Sequence, residues 1–167
     1  MGKRLFLLLI LSIGAAFITC SKKATQTASE YYESADLLFE TENYTGAIQQ
    51  FNNLVKFYPD DSLAVKALFS VAEIYKNNLT DLKKAIDVYH SIVKSYPTSD
   101  KAPNAFFMIG YIYANELHNY EKAEEAYKAF IARYPGHTLV MSAQWELDNL
   151  GKSLDEIPTL QNITKGQ

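Results

Sequence analysis

The sequence has little of what several familiar kinds of site are built from. Among its 167 residues there is one cysteine, which excludes an intramolecular disulfide framework and any multi-cysteine zinc centre. Seven glycines and five prolines leave little room for a loop-rich fold. The net charge is only −3, without the basic excess that phosphate backbones require, so nucleic acid is not expected as a partner. Beyond the first twenty residues no apolar run is long enough to cross a bilayer. Nucleophile elbows, phosphate loops and metal-spaced histidine pairs are missing. His90, His118 and His137 read as surface or loop residues. The adjacent acids Asp60-Asp61 and Glu124-Glu125 read as helix-end and solvated charge rather than as catalytic carboxylates. A protein without enzymatic activity, cofactor or metal is the expectation.

What is present starts with an address. Lys3 and Arg4 precede an apolar stretch, residues 5–18, interrupted only by Ser12 and Gly14. At fourteen residues this is short of the roughly 20 that a membrane span needs, and its form is that of a secretory signal peptide. Cys20 follows directly, after Phe17-Ile18-Thr19. This resembles the lipobox of bacterial lipoproteins, although that motif usually has Leu where Phe17 stands and a small residue in place of Thr19. The resemblance implies cleavage before Cys20, a lipid anchor on Cys20, and an exported, periplasm-facing lipoprotein, sorted to the outer membrane. Ordinary cleavage after Ala16, leaving a free thiol, is the alternative. Loss of residues 1–19 removes Lys3 and Arg4, so 14 basic residues then stand against 19 acidic ones, a net −5. Residues 21–29 are small, polar and unpatterned, and read as a flexible tether.

A repeat organises the remainder. Tyr-Pro recurs at Tyr58-Pro59, Tyr96-Pro97 and Tyr134-Pro135, spaced by 38. Alanines stand 12 before each proline (Ala47, Ala85, Ala123) and eight after it (Ala67, Ala105, Ala143). Aromatics recur in step at Phe51, Tyr89 and Tyr127, and at Phe69, Phe107 and Trp145; counting back 38 from Phe69 reaches Tyr31. Tyr58, Tyr75, Tyr89, Tyr96, Tyr113 and Tyr134 are among the tyrosines that fall on frame positions. Coincidence at so many positions is not composition bias.

Each unit reads as two helices, because the apolar positions recur at helical spacing and each Tyr-Pro stops the second helix. Helices are expected over about 29–41, 44–57, 62–77, 81–95, 100–116, 119–133 and 138–150, with Ser62, Asp100 and Thr138 as first-helix N-caps. The last helix would cap the array. Ser153-Leu-Asp-Glu156 has capping-box form and would start one short turn. The resulting layout is a signal peptide (1–19), lipidated cysteine and tether (20–29), a repeat domain (30–151) and a short turn with a frayed tail (152–167). The domain divides into units of about 30–61, 62–99 and 100–137 and a cap over 138–151.

These units resemble tetratricopeptide repeats. The first-helix aromatic, aliphatic, small and tyrosine positions are matched by Phe106, Ile109, Gly110 and Tyr113, and by Leu68, Val71, Ala72 and Tyr75. In the first unit Ser34 stands for the small residue and Leu37 for the tyrosine. The resemblance covers about 30–151 and implies an all-α, right-handed superhelical solenoid of three antiparallel helix pairs plus a C-terminal capping helix. The Tyr-Pro endings are similar to those of bacterial envelope repeat proteins of the BamD and YbgF type, which implies a scaffold for outer-membrane protein assembly or for Tol-Pal-related envelope integrity.

In that frame the first helices line a concave groove, the face on which solenoids take partners. Tyr31, Lys66, Phe69, Glu73, Lys76, Asn104, Phe107, Tyr111 and Trp145 are its expected lining. Rings would supply area, and amide and charged groups would fix the register of an envelope protein or peptide. The competing reading is that Tyr31, Phe69, Phe107 and Trp145 pack the helix seam. Self-association through the aromatic column, giving a homo-oligomer, is a further alternative.

Overall fold

An amphipathic helix pair cannot cover its own apolar stripe, so successive pairs stack. The computed structural model describes residues 23–157. The expected signal segment, Cys20 and the tail from 158 onward lie outside the described residues. Among the described residues there are seven α-helices and no strand: α1 (Ala28–Glu40), α2 (Tyr44–Phe57), α3 (Ser62–Glu73), α4 (Leu82–Ser95), α5 (Lys101–Tyr111), α6 (Tyr120–Arg133) and α7 (Val140–Asp148). The expected short turn is a single 3₁₀ turn, Leu154–Glu156, and Ser153 donates to Glu156 Oε2 from both its N–H and its hydroxyl at 2.8 Å.

Each helix packs on the next along the chain, and in addition α1 touches α3 and α3 touches α5. The second helices α2, α4 and α6 share no comparable contact. First helices therefore lie side by side on an inner face, while second helices fan outward. Close crossing is allowed by alanines with no exposure at all, among them Ala47, Ala85 and Ala123. Between the helices of each pair sit Phe51 and Leu54, Tyr89 and Ile92, and Tyr127 and Phe130, all at most 1% exposed.

The connections repeat as strictly as the core. Within each unit the residue before the second helix's cap has positive φ: Glu42 (59°), Thr80 (53°) and His118 (50°). Next comes a cap whose side chain accepts an orphan N–H: Asn43 from Gly46 (3.0 Å), Asp81 from Lys84 (3.1 Å) and Asn119 from Lys122 (3.1 Å). After each second helix the same turn closes on the Tyr-Pro, with Asp61, Ser99 and His137 N–H groups donating to the carbonyls of Tyr58, Tyr96 and Tyr134 at 3.0–3.1 Å.

First-helix starts differ from expectation. Asp61, not Ser62, caps α3, its Oδ1 accepting the Leu63 N–H at 2.8 Å. Asp100 makes no side-chain cap; Ser99 Oγ accepts the Lys101 N–H at 3.2 Å instead. Thr138 does not cap α7 either, because His137 Nδ1 accepts the Leu139 N–H at 3.2 Å. The tether is also shorter than expected. Thr27 and Glu30 form a capping box on α1. The Tyr58 hydroxyl donates to the Gln26 carbonyl at 2.8 Å, and the Thr25 hydroxyl pairs with the Tyr31 hydroxyl at 3.1 Å. Residues 25–27 thus belong to the folded domain.

The largest departure is a register shift. In units two and three the first helix runs on into a π-helical turn, Ile74–Asn78 and Ile112–Glu116, where Leu79 and Leu117 N–H groups donate to Ile74 and Ile112 carbonyls, five residues back, at 3.0 Å. Such a turn accommodates one extra residue. No π turn follows α1, so α1 aligns with α3 at a spacing of 37, not 38. Ala35 is fully buried as Ala72 is, and Ala28 matches Val65 (7% and 8% exposed). Leu37, expected in the tyrosine place, is 63% exposed, and Leu38 packs into the core there beside Tyr75.

A candidate partner-binding face

On α3, Lys66, Phe69 and Glu73 recur at spacings of 3 and 4, which places them on one helix face, and Lys76 follows three residues on in the π turn. Asn104, Phe107 and Tyr111 do the same on α5. Lys66 is exposed, and Phe69, Glu73, Lys76, Asn104, Phe107 and Tyr111 are half-buried. The phenylalanines divide between seam and surface: Phe69 packs edge-on against Tyr89 (5.4 Å between centroids), and Phe107 packs on Tyr127 (5.5 Å) and Phe130 (6.0 Å). Lys101 Nζ stands 5.8 Å from the Phe69 ring centre.

Tyr31 is not part of this face. It is 3% exposed, its ring stacked on Phe57 at 6.0 Å. The register shift is the cause: the residue equivalent to Phe69 is Tyr32, which meets Phe51 edge-on at 5.2 Å just as Phe69 meets Tyr89. Trp145 continues the column at the other end and is 43% exposed. Near it Met141 is 83% exposed, although its equivalents Val65 and Pro103 are buried. α7 covers α6, but its own outer surface is less polar than a cap requires.

Between α1 and α3 the inner face opens into a hollow of about 220 Å³, lined by Asp36, Phe39, Phe51, Phe69, Ser70, Glu73, Ile74, Asn77 and Asn78. Phe69 and Glu73 were expected there. Asp36, Phe39, Ser70 and Asn77 were missed, Asp36 because only the 37-residue register makes it the equivalent of Glu73. Glu73 accepts hydrogen bonds from the Tyr89 hydroxyl and from Asn77 Nδ2, the latter at 2.8 Å. Burial, and then the bond to Glu73, hold the Tyr89 phenol far above its ordinary pKa. Tyr127 is held up likewise by burial, with smaller effects from Glu146 and Tyr111, and its hydroxyl has no hydrogen-bond partner. A second hollow, about 180 Å³, lies where Asn115 and His118 meet Glu146 and Asn149. Burial raises the Glu146 pKa there, opposed by a hydrogen bond from Asn115.

No three of His, Cys, Asp and Glu are grouped to hold a metal ion among the described residues, and among them no helix is long and apolar enough to cross a membrane. The face offers aromatic area, amides and charges of both signs along parallel helices.

One family pattern, described as tetratricopeptide repeat, matches residues 31–61, 66–99 and 104–137. No curated protein matches the chain. Among solved structures, one described as "Crystal structure of MamA protein" is 18% identical, with a TM-score of 0.39, over 73% of this chain and 85% of that one.

Proposed function

The chain belongs to the tetratricopeptide-repeat family, and on that premise we propose that it is a non-catalytic scaffold of the bacterial cell envelope, held to a membrane through Cys20 and binding envelope proteins or peptides on its inner face. The observation that carries the binding role is the row of adjoining first helices α1, α3 and α5, on which Lys66, Phe69, Glu73, Asn104, Phe107 and Tyr111 leave polar groups and ring surface open along one side. Solenoids present such surfaces to extended partners. The signal-like start, the single cysteine directly behind it and the Tyr-Pro repeat endings favour the lipoprotein branch of envelope repeat proteins, in outer-membrane protein assembly or envelope integrity.

Anchoring at Cys20 would have a geometric consequence. Thr25 is bonded to the domain, and the five residues from Cys20 to Thr25 reach at most about 18 Å whatever their conformation. The domain would therefore sit close to the lipid surface, its first unit nearest, rather than range freely on a long tether. In cells making the full chain, the wild type is expected in the membrane fraction and the Cys20→Ala variant in the soluble exported fraction. The same partition for both would overturn the anchor and leave the inner-face reading to its own test.

A further inference from the structure

Asp36 and Glu73 hold equivalent places on successive first helices, and both line the hollow between α1 and α3. Their surroundings differ in one respect. The carboxylate of Glu73 is answered within the chain by the Tyr89 hydroxyl and the Asn77 amide. In the first unit the residue standing where Tyr89 stands is Phe51, which has no hydroxyl. Asp36 accordingly has no hydrogen bond among the described residues, and the ion pairs among them, Lys84–Asp81 and Lys128–Glu124, involve neither acid. Burial and the neighbouring Glu40 both oppose the charge on Asp36 and raise its pKa. An external cation beside Asp36 would offset the repulsion from Glu40.

The walls fit a particular cation. Phe51 forms an apolar floor at 1% exposure, and Phe39, 41% exposed, and half-buried Phe69 offer ring surface at the rim. A long side chain could lay its methylenes along these rings and bring a planar, positive head between the acids. Guanidinium suits this better than ammonium, since it stacks on aromatic faces and bonds a carboxylate through two parallel N–H groups. The pairing of acids is confined to this hollow, because the third unit has Tyr111 at the equivalent place.

We propose that the hollow between α1 and α3 receives an arginine side chain of a partner polypeptide lying along the inner face, with Asp36 and Glu73 holding the guanidinium. This rests on the inner face being the partner-binding surface and adds what that partner must carry.

The test uses the full chain in detergent and three soluble peptides. They are acetyl-Ala-Leu-Arg-Leu-Ala-amide and its counterparts with citrulline, which keeps the shape without the charge, and with lysine. By titration calorimetry the arginine peptide is expected to bind at least about tenfold more tightly than the citrulline peptide, the scale of one charge-assisted hydrogen bond. Asp36→Asn should abolish most of that difference. Asp36 is exposed, so an unaltered melting curve should show the variant folded; the citrulline comparison needs no variant at all. Equal binding of arginine and citrulline peptides overturns the arginine site and leaves the inner-face reading standing. Preference for lysine over arginine overturns the assignment to arginine. Failure of the arginine peptide to bind at millimolar concentration also overturns it, and the inner-face reading is then decided separately by crosslinking at Lys66.

Discussion

Phe130→Ala should destabilise the protein by about 3–5 kcal/mol, the usual cost of emptying a fully buried aromatic site. Phe130 has no exposed surface. Its ring lies 5.7 Å from Tyr134, 6.0 Å from Phe107, 6.0 Å from His137 and 6.3 Å from Phe106, so it joins α5, α6 and the turn leading to α7. Those neighbours are themselves pinned, which limits how far the site can collapse. In a solenoid each unit contacts only its neighbours, so the damage should stay local. Amide hydrogen exchange should show α5, α6 and α7 losing protection well before α1 and α2. Denaturant melts showing a loss under about 1 kcal/mol, or exchange rising evenly along the chain, would contradict this packing account.

Gly110→Ala should also destabilise, against the sign that helix propensity alone suggests. An alanine within a helix is worth about 1 kcal/mol over glycine. The added Cβ, however, would lie 2.7 Å from both Cδ1 and Cε1 of Tyr127. That ring has no exposed surface and is backed by Phe107, so it cannot swing into solvent. Overpacking of this kind costs about 1–3 kcal/mol, and contact with a fixed ring belongs at the upper end. The net expectation is a loss of about 2 kcal/mol, the difference of the two effects. The second unit carries Ala72 at the same place, fully buried, so the requirement for glycine belongs to how closely Tyr127 approaches α5 and not to the repeat as such. A melting temperature unchanged or raised in Gly110→Ala would show that the ring yields.

Much of this fold is legible in the sequence because the constraints recur. Pro59, Pro97 and Pro135 stop the second helices, and Ala47, Ala85 and Ala123 sit where helices must cross closely, so a spacing of 38 reveals both. Side-chain caps were harder to place. Asp61 and Ser62 are adjacent and both of capping type, and only the backbone geometry selects Asp61. The inner face was half legible. Phe69 and Glu73 follow from the frame, but Asp36 does not, because π turns add a residue to α3 and α5 and none to α1. The signal for that shift was available. Ala35 fits the small place of Ala72 better than Ser34 does, at the cost of one gap. Imposing an unbroken period put Tyr31 in the groove and hid the acid equivalent to Glu73.

The inner face as the partner-binding surface is tested most directly by site-specific photocrosslinking in cells making the full chain. A photoreactive amino acid would replace Lys66 on the inner face of α3 or, as the control, Lys128 on the outward helix α6; both positions are exposed. A discrete covalent adduct with an envelope protein is expected from position 66 and none from position 128. Adducts from position 128 alone, or from neither position, would contradict the account.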